Sequence, residues 1–306
     1  MSIHGLRMLT LGVPDLASAA AFYEDFGLAR SSGYTFSTTD GGDQLTLVQT
    51  PRRRLVEAVF GVDSHDDLQV ARRALTDLGV ASTGSGAALV AADPGTGTRI
   101  VLQVLPRLDQ PAIPPSTVNG RGRIERVASR ADGLTRTGRV QPRRLGHFVL
   151  GTTDFEASYG FFTQGLGFRV SDLVRDVGVF LRCSTDHHNV LIQRAPVPFL
   201  HHTSWQVDDV DEIGRGAADL LGEHPERHVW GLGRHYAGSN FFWYFRDPAG
   251  NFAEYHSDMD CIPEDAIWTP ETLEGARGLF AWGPPPPPSF IHPDDLAELM
   301  ISEHSK

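Results

Sequence analysis

Residues 9–15 have the sequence LTLGVPD, and residues 148–154 have the sequence FVLGTTD. Each stretch is a short apolar run, typical of a β-strand, that ends at a residue able to cap a helix. We therefore expect Asp15 and Asp154 to be helix N-caps, with aromatic residues at helical spacing after each of them. The repeated order of strand, cap and helix predicts two copies of one structural unit.

The remaining parts of the two copies also match. The dipeptide VD precedes a second amphipathic segment at residues 62–63 and again at 207–208. A turn with the sequence DPGTGT begins at Asp93, and a turn with the sequence DPAGN begins at Asp247, where Pro and Gly supply the turn geometry. Each copy is therefore predicted to be strand, helix, several strands, helix and several strands, which is an α+β pattern.

The positions of the two copies predict the domain boundaries. We expect an N-terminal domain at residues 1–105, a linker at 106–143, a second domain at 144–258 and a C-terminal tail at 259–306. The linker contains scattered Pro, Arg and Gly, and the tail contains the sequence GPPPPPSF, whose polyproline run favours an extended chain on the surface. Neither segment is expected to carry chemistry.

The charge balance and the cysteine count limit the partners and the compartment. The sequence has 27 Lys and Arg residues against 38 Asp and Glu residues, a net charge of −11, which opposes binding to nucleic acid and to acidic membranes. A small molecule is the expected ligand. The two cysteines, Cys183 and Cys261, are too few for a disulfide framework. Without a signal-peptide pattern or a long apolar run, we expect a cytoplasmic protein.

Alternation along three predicted strands places two histidines and one glutamate on a common face. In GHFVL the apolar residues Phe148 and Leu150 share the face that packs against a helix. This alternation puts His147 on the opposite, open face. In HHTSWQV the alternation favours His202 over His201, and in NFAEYHS it places Glu254 on the same side. The three side chains are predicted to converge.

Two imidazoles and one carboxylate form a ligand set for a divalent first-row metal. With iron(II) this set leaves coordination positions open for a substrate and for dioxygen. A histidine in a strand is, however, commonly a hydrogen-bonded structural residue. From the residues alone, a metal site and a structural role remain open alternatives for His147, His202 and Glu254.

Three segments carry a resemblance to a known family. They are LGHFVLGTTDF at residues 145–155, LHHTSWQVDD at 200–209 and GRHYAGSNFFWYFRDPAGNFAEYHSD at 233–258. These segments resemble the signature blocks of the two-domain (type I) extradiol ring-cleavage dioxygenases of the vicinal oxygen chelate superfamily. The resemblance covers residues 144–258 closely and the first copy more loosely. It implies two tandem domains of the glyoxalase/bleomycin-resistance type, each of paired βαβββ modules.

The resemblance also implies an activity and a cofactor. The chain is expected to insert both atoms of O2 into a catechol-type ring, with iron(II) or, alternatively, manganese(II) as the metal. By the family pattern the metal ligands are His147, His202 and Glu254. Family members of this kind imply a homo-oligomer, a tetramer or larger.

Further positions match residues that the family uses around the metal. His188, in TDHHNVLIQ, corresponds to the acid/base histidine, and His187 is expected to be only its neighbour. His235 and Tyr244 correspond to the pair that contacts the hydroxyl region of the substrate. Without the resemblance, each of these would be an ordinary surface histidine or a tyrosine at the edge of the core.

Four positions match residues that line the substrate pocket in the family. Val149, Phe180 and Phe242 are expected to line it directly. Trp230 is at a position where relatives that act on carboxylated catechols can carry an arginine, so an aromatic residue there removes a bidentate partner for a carboxylate. We therefore expect an apolar catechol.

The first copy is predicted to be metal-free. Alignment on its turn residues places Met8, Glu57 and Ile100 at the positions of the three ligands, and this set cannot hold a metal. Other metal-dependent enzymes of the superfamily, such as glyoxalase-type lyases or isomerases, and non-catalytic binding proteins remain alternatives, because the fold alone does not choose between activities. The histidines and tyrosine around the metal favour the dioxygenase.

Overall fold

The computed structural model describes residues 3–263 and 268–303. Two large mixed sheets form the molecule, each built from two consecutive βαβββ modules, so the predicted α+β fold of tandem paired modules is confirmed. Within the described ranges, no helix has both the length and the apolar character that crossing a bilayer requires.

The first sheet is formed by residues 3–104. Its elements in chain order are β1 (Ile3–Val13), α1 (Leu16–Asp25), β2 (Ala29–Ser32), β3 (Thr35–Thr38), β4 (Gly42–Gln49), β5 (Arg54–Val62), α2 (His65–Asp77), β6 (Ser82–Thr83), β7 (Ala88–Ala92) and β8 (Arg99–Val104). The strand order is β2-β3-β4-β1-β5-β8-β7-β6. The two modules are therefore joined by the antiparallel pair of β1 and β5.

The segment between the two sheets contains little regular structure. Its elements are β9 (Asn119–Gly120), β10 (Arg123–Ile124) and α3 (Asp132–Thr135), and the two strands form a small hairpin. Side chains of this segment bind the second sheet, since Arg136 forms an ion pair with Asp209 at 2.6 Å.

The second sheet repeats the arrangement of the first and gains one strand from the C-terminal segment. Its elements are β11 (Arg144–Thr152), α4 (Phe155–Gly160) with a π-helical extension (Phe161–Gly165), β12 (Arg169–Val174), β13 (Gly178–Arg182), β14 (Val190–Arg194), β15 (Phe199–Gln206), α5 (Val210–Gly222), a 3₁₀ turn (Pro225–Arg227), β16 (His228–Arg234), β17 (Phe241–Arg246), β18 (Phe252–Ser257) and β19 (Thr272–Leu273). The strand order is β16-β17-β18-β15-β11-β14-β13-β12-β19. A 3₁₀ turn (Gly275–Gly278), α6 (Pro288–Ile291) and α7 (Leu296–Glu303) follow.

The helices that follow β1 and β11 begin at the predicted caps. The carboxylate of Asp15 accepts hydrogen bonds from the backbone N–H groups of Ala17 and Ser18. The carboxylate of Asp154 accepts one from Ala157. Such caps stabilise a helix by about 1 kcal/mol each. Both cap predictions are confirmed.

The two halves share one hydrophobic core. Phe26, at the end of α1, stacks on Tyr255 of β18 with ring centroids 4.2 Å apart. The hydroxyl of Tyr255 donates to the carbonyl oxygen of Phe26 at 2.5 Å. On the other side of the core, Phe60 of β5 packs against Phe148 of β11. These contacts fix the first sheet against the second.

Strand registers identify which residues of the first sheet correspond to the candidate ligands. Thr10 pairs with Glu57 in the first sheet as Val149 pairs with His202 in the second. Glu57 is therefore the counterpart of His202, as predicted.

The predicted counterpart of Glu254 was wrong by one residue. β15 pairs Ser204 with Glu254, and the equivalent position of β5 pairs Val59 with Val101. Val101 therefore occupies the position of Glu254. Ile100, the predicted residue, belongs to the hydrophobic core.

The length of the turns explains this difference. The N–H of Asp93 bonds the carbonyl of Thr98, whereas the N–H of Asp247 bonds the carbonyl of Asn251. The turn before β8 is thus one residue longer than the turn before β18. An alignment that counts the same number of residues from Asp93 and from Asp247 is therefore wrong by one position in the first copy. A shift of one residue along a strand moves to a side chain on the opposite face of the sheet.

Removal of the Tyr255 hydroxyl should weaken the association of the two halves. In Tyr255→Phe the buried carbonyl of Phe26 loses a donor, and the free energy of unfolding should fall by about 1–3 kcal/mol. Guanidinium unfolding followed by tryptophan fluorescence measures the change. The control Tyr159→Phe removes a hydroxyl without a described hydrogen bond and should change stability by less than about 0.5 kcal/mol. Equal stability of the two variants would contradict the role of Tyr255.

Candidate active site

Three adjacent strands of the second sheet carry the candidate metal ligands. His147 lies on β11, His202 on β15 and Glu254 on β18, and these strands are neighbours. Nε2 of His147 is 3.1 Å from Oε2 of Glu254 and 3.4 Å from Nε2 of His202. Nε2 of His202 is 3.6 Å from Oε2 of Glu254. Three potential ligand atoms therefore meet in one small volume.

Strand alternation explains why these side chains meet. On β11, Phe148 and Leu150 belong to the hydrophobic core, and on β15 Trp205 does. Because successive side chains point to opposite faces of a sheet, His147 and His202 face the concave side. The structure has the strand faces that the sequence predicted.

Burial and neighbouring charges set the charges of Glu254 and His202. Glu254 is 0% exposed, and burial alone would raise its pKa, but the neighbouring imidazoles of His147 and His202 outweigh burial and lower it. Burial also lowers the pKa of His202 well below its ordinary value. At neutral pH the carboxylate is anionic and this imidazole is neutral, which are the forms that bind a metal cation.

The side chains present fit a divalent metal. Oε2 of Glu254 and Nδ1 of His147 are buried and have no hydrogen-bond partner among the described residues. A buried carboxylate oxygen without a partner is costly. A metal cation would satisfy this oxygen, and two imidazoles with one carboxylate are the ligand set of non-haem iron(II) oxygenases.

The histidine before His202, His201, fixes the tautomer of that candidate ligand. Nε2 of His201 is 2.6 Å from the carbonyl oxygen of Phe290, so this nitrogen carries the hydrogen. Nδ1 of His201, 2.7 Å from Nδ1 of His202, then accepts a hydrogen bond. Nε2 of His202 is left with a free lone pair on the metal side. Burial lowers the pKa of His201 to about 4, which keeps its ring neutral at pH 7.

His147 and His202 line a cavity of about 330 Å³. Two residues predicted to contact substrate, Val149 and Phe180, line it as well. Other apolar side chains of the wall come from the second sheet and from the C-terminal segment: Val174, Leu191, Phe199, Leu279, Phe290 and Leu296. An apolar cavity with a few convergent polar groups is typical of a small-molecule site.

His188 lines the same cavity outside the group of three ligands. Its ring centroid is 4.1 Å from that of His147 and 4.9 Å from that of Phe180. Burial, followed by the neighbouring His147 and His187, lowers the pKa of His188 well below its ordinary value. The ring is therefore neutral near pH 7, which is the form that can accept a proton.

Tyr244 and His235 form a hydrogen-bonded pair on the cavity wall. Nδ1 of His235 donates to the carbonyl oxygen of Leu279. Nε2 of His235 therefore accepts, and the Tyr244 hydroxyl lies 2.8 Å from it. Burial raises the pKa of Tyr244, and the negative charge of Glu254 raises it further, so the phenol keeps its proton.

Trp230 and Phe242 do not line the cavity, which corrects their predicted role. Trp230 stacks on Tyr244 with an interplanar angle of 9°, and its Nε1 donates to the carbonyl of Pro284 at 2.7 Å. Phe242 stacks on His235 with ring centroids 4.1 Å apart. Trp230 therefore supports the ring of Tyr244, its partner in the pairing of β16 with β17, and Phe242 supports the ring of His235.

The C-terminal segment contributes to the site, contrary to the prediction that it carries no chemistry. Phe290 and Leu279 line the cavity, and their carbonyl groups bind the two histidines described above. The segment is anchored by Arg53, whose buried guanidinium binds both carboxylate oxygens of Asp295 at 2.5 and 2.7 Å. The signal in the sequence is an aromatic residue, Phe290, one serine after a stiff polyproline run.

The first sheet has no comparable group of ligands. Met8, Glu57 and Val101 occupy the equivalent positions, and Glu57 is paired with Arg99 at 2.7 Å. In the part of the chain that the structure describes, the His147 site is the only group of three metal-ligating side chains close enough to share an ion.

The chain is similar to known proteins over nearly its whole length. Residues 144–255 match the model of the Glyoxalase/Bleomycin resistance protein/Dioxygenase superfamily. The chain is 30% identical over 304 residues to metapyrocatechase 2 of Cupriavidus necator, which covers 95% of this chain and 92% of that protein.

Two shorter matches have metal-dependent activities in their names. Over 154 residues, 45% of this chain and 50% of that protein, it is 30% identical to an iron-dependent extradiol dioxygenase of Rhodococcus jostii. Over 158 residues, 47% of this chain and 50% of that protein, it is 29% identical to a manganese-dependent 2,3-dihydroxybiphenyl 1,2-dioxygenase of Geobacillus genomosp. 3.

Solved structures share the fold. An extradiol ring-cleaving dioxygenase from B. fuscum superposes with a TM-score of 0.74 at 21% identity, covering 94% of this chain and 81% of that one. A Mn(II)-bound glyoxalase from Novosphingobium aromaticivorans superposes with a TM-score of 0.72 at 24% identity, covering 92% and 93%. Because both activities occur on this fold, the fold alone does not choose between them.

The chain belongs to the glyoxalase/bleomycin resistance protein/dioxygenase superfamily, as the family model and the full-length relative show. Its relatives and the residues of its site indicate the activity within this superfamily. Within the superfamily the protein is an extradiol ring-cleavage dioxygenase that depends on a divalent metal, iron or manganese.

Replacement of the anionic ligand should weaken metal binding and leave the fold intact. In Glu254→Gln the site loses its only carboxylate. Substitution of a residue that hydrogen-bonds a metal ligand lowers metal affinity roughly 10- to 100-fold, and loss of the carboxylate itself should lower the affinity for iron(II) by more than this. Anaerobic reconstitution followed by metal analysis measures the occupancy. The matched control Glu57→Gln changes the corresponding residue of the first sheet and should keep one metal per chain. Full occupancy in Glu254→Gln would refute the ligand assignment.

Proposed function

We propose that the protein opens catechol-type rings beside their hydroxyl pair with O2 as co-substrate, and that His147, His202 and Glu254 hold the metal. The observation that carries this proposal is the convergence of three potential ligand atoms, on His147, His202 and Glu254, at the wall of a cavity that His188, His235 and Tyr244 also line. The full-length similarity to a metapyrocatechase supports it.

The metal and the protein have separate tasks in the proposed reaction. When held by His147, His202 and Glu254, iron(II) or manganese(II) would supply Lewis-acid activation of the catechol and electron transfer between the catechol and dioxygen. Glu254 supplies a buried negative charge, and the imidazoles of His147 and His202 complete the protein ligands. The apolar cavity wall excludes water from the reacting groups.

His188 is proposed to move the proton. Its Nδ1 is engaged by His187 at 3.0 Å, so its Nε2 is the nitrogen available to the cavity. The neutral ring takes the proton of a substrate hydroxyl at this nitrogen and returns it as the O–O bond breaks. General acid–base catalysis of this kind requires a base that is neutral at the working pH and placed within hydrogen-bond reach.

Tyr244 and His235 are proposed to orient the substrate. Their hydrogen bond and the carbonyl of Leu279 hold both polar groups in place before a ligand arrives. Because the Tyr244 hydroxyl donates its hydrogen to His235, its oxygen keeps a lone pair that can accept a hydrogen bond from a hydroxyl of the substrate, in an orientation fixed in advance. A lyase or a binding protein on this fold does not need this combination of a proton carrier and a fixed tyrosine.

The lining of the cavity favours a catechol with an apolar substituent. Arg194 is the one arginine or lysine on the cavity wall within the described chain. It is already paired with Glu156 at 3.0 Å and lies over the ring of Phe155. A substrate carboxylate would therefore enter a mostly apolar space without an unpaired cation, which is costly.

Two further expectations belong to this proposal. The free thiols of Cys183 and Cys261 are consistent with a reducing compartment, and we propose that the enzyme works in the cytoplasm. A homo-oligomer, which the family resemblance implies, stays a prediction that light scattering of the purified protein tests.

Substitution of His188 should separate catalysis from binding. His188→Phe should keep metal content and near-normal substrate affinity, while kcat falls by roughly 10²- to 10⁴-fold because proton transfer is lost. Anaerobic substrate titration and oxygen uptake measure the two properties. The control His224→Gln changes an exposed histidine and should keep full turnover. Unchanged turnover in His188→Phe would show that the proton role is wrong.

A substrate panel tests the class of catechol. Catechols with a methyl or phenyl substituent should have a kcat/KM at least about tenfold above that of analogues with a carboxylate substituent, because an unpaired buried charge costs more than one kcal/mol. Oxygen uptake at equal metal loading provides the comparison. A preference for the carboxylated analogues would overturn the assigned substrate class, and absence of oxygen uptake with every catechol would overturn the proposed activity.

A further inference from the structure

His188 is one end of a buried chain of three side chains that reaches away from the cavity. Nδ1 of His188 lies 3.0 Å from Nδ1 of His187, and Nε2 of His187 lies 3.0 Å from Oδ2 of Asp172. Asp172 is on β12, and His187 precedes β14, so the chain links two segments of the second sheet. His187 is 0% exposed and Asp172 5%.

We infer that Asp172 and His187 are positioning residues that set the ring orientation and the tautomer of His188. This inference rests on the proposed role of His188 in the ring-cleavage reaction. It extends the site to two residues that do not line the cavity. Sequence analysis predicted His187 to be only a neighbour of His188, and it did not identify Asp172.

Hydrogen-bond chemistry gives the direction of the chain. A carboxylate only accepts, so the nitrogen of His187 that faces Asp172 carries a hydrogen. In a neutral His187 the other nitrogen, Nδ1, is then an acceptor, and Nδ1 of His188 must donate to it. Nε2 of His188 is left with its lone pair, and among the described residues no hydrogen bond occupies it. The chain thus presents His188 to the cavity as a base.

The surroundings of His187 hold this arrangement in place. The ring of Phe180 packs edge-on against both His187 and His188, with centroids 5.6 and 4.9 Å apart. Trp268 packs edge-on against His187 from the C-terminal segment, at 5.6 Å. A Cβ atom at Gly238 would lie 3.2 Å from Nδ1 of His187, so only a glycine leaves normal room beside this nitrogen.

The carboxylate at the far end is fixed as well. Oδ1 of Asp172 accepts the backbone N–H of Glu271 at 2.7 Å, which leaves Oδ2 directed at His187. The preceding strand residue, Ser171, is held by the indole N–H of Trp268, which donates to its carbonyl at 2.7 Å. Asp172 therefore has one orientation, and a buried carboxylate in a fixed orientation can impose a tautomer on a histidine.

An isosteric substitution tests the tautomer directly. In Asp172→Asn the side-chain amide can donate to Nε2 of His187, which moves the hydrogen of that ring to Nδ1 and reverses the hydrogen bond to His188. Nε2 of His188 then carries a hydrogen and cannot accept one. We expect kcat to fall roughly 10- to 100-fold, as for other changes to residues that orient a functional histidine, with KM and metal content unchanged.

A pair of substitutions at His187 provides a rescue experiment. His187→Phe keeps the ring volume and removes both hydrogen bonds, so it should lower kcat by a similar factor. His187→Asn places an amide oxygen near the position of Nδ1 and should recover part of the lost kcat. The control Asp219→Asn removes a carboxylate from the exposed face of α5 and should leave kcat unchanged.

A spectroscopic readout keeps the test independent of activity. Nitrogen-15 spectra of histidine-labelled protein loaded with diamagnetic Zn²⁺ report which ring nitrogen carries the hydrogen. The wild type should show His188 with hydrogen on Nδ1, and Asp172→Asn should show it on Nε2. The same tautomer in both proteins, or a kcat of Asp172→Asn equal to that of Asp219→Asn in an active enzyme, would overturn the inference.

Failure of the proposed function would look different. A wild type that consumes no oxygen with any catechol would refute the ring-cleavage proposal, whereas the ring-nitrogen spectra would still decide whether Asp172 sets the tautomer. An active wild type that loses turnover in His188→Phe, but not in Asp172→Asn or His187→Phe, would keep the proposed function and overturn the role of the two positioning residues.

Discussion

The enclosure of the Glu254 carboxylate is the constraint on which the rest of the site depends. A carboxylate removed from water is strongly destabilising unless a compensating charge lies beside it. Burial lowers the pKa of His202 well below its ordinary value, so this imidazole does not provide the charge at neutral pH, and a bound divalent cation would. The site therefore requires β11, β15 and β18 to be neighbours in a fixed register, because a slip of one residue would turn a ligand into the core.

The first sheet explains how this register is held. Tyr255 follows Glu254 on β18 and points to the opposite face, where it binds Phe26 of α1 by ring stacking and by a hydrogen bond. The helix α1 of the first half thus fixes the strand that carries Glu254. Duplication of the unit has separated two tasks: one copy holds the chemistry, and the other holds the strands in position.

The sequence predicts the parts of the site that depend on local periodicity. The faces of His147 and His202 follow from alternation along one strand, a property of a few consecutive residues. The counterpart Ile100 was wrong because the two closing turns differ in length, which a comparison of motifs does not detect. Phe290 and Asp172 reach the site through contacts between segments far apart in the sequence, and local sequence patterns do not predict such contacts.

The C-terminal segment gives the site an order of assembly during synthesis. The carbonyl groups of Leu279 and Phe290, which bind His235 and His201, leave the ribosome after both sheets have emerged. Domains fold as units from the N-terminal end of a nascent chain. Both sheets can therefore form while the cavity is still open, and the imidazole rings acquire their final hydrogen bonds last. The C-terminal segment therefore completes the wall of the cavity only after the strands that carry the three candidate ligands have been synthesised.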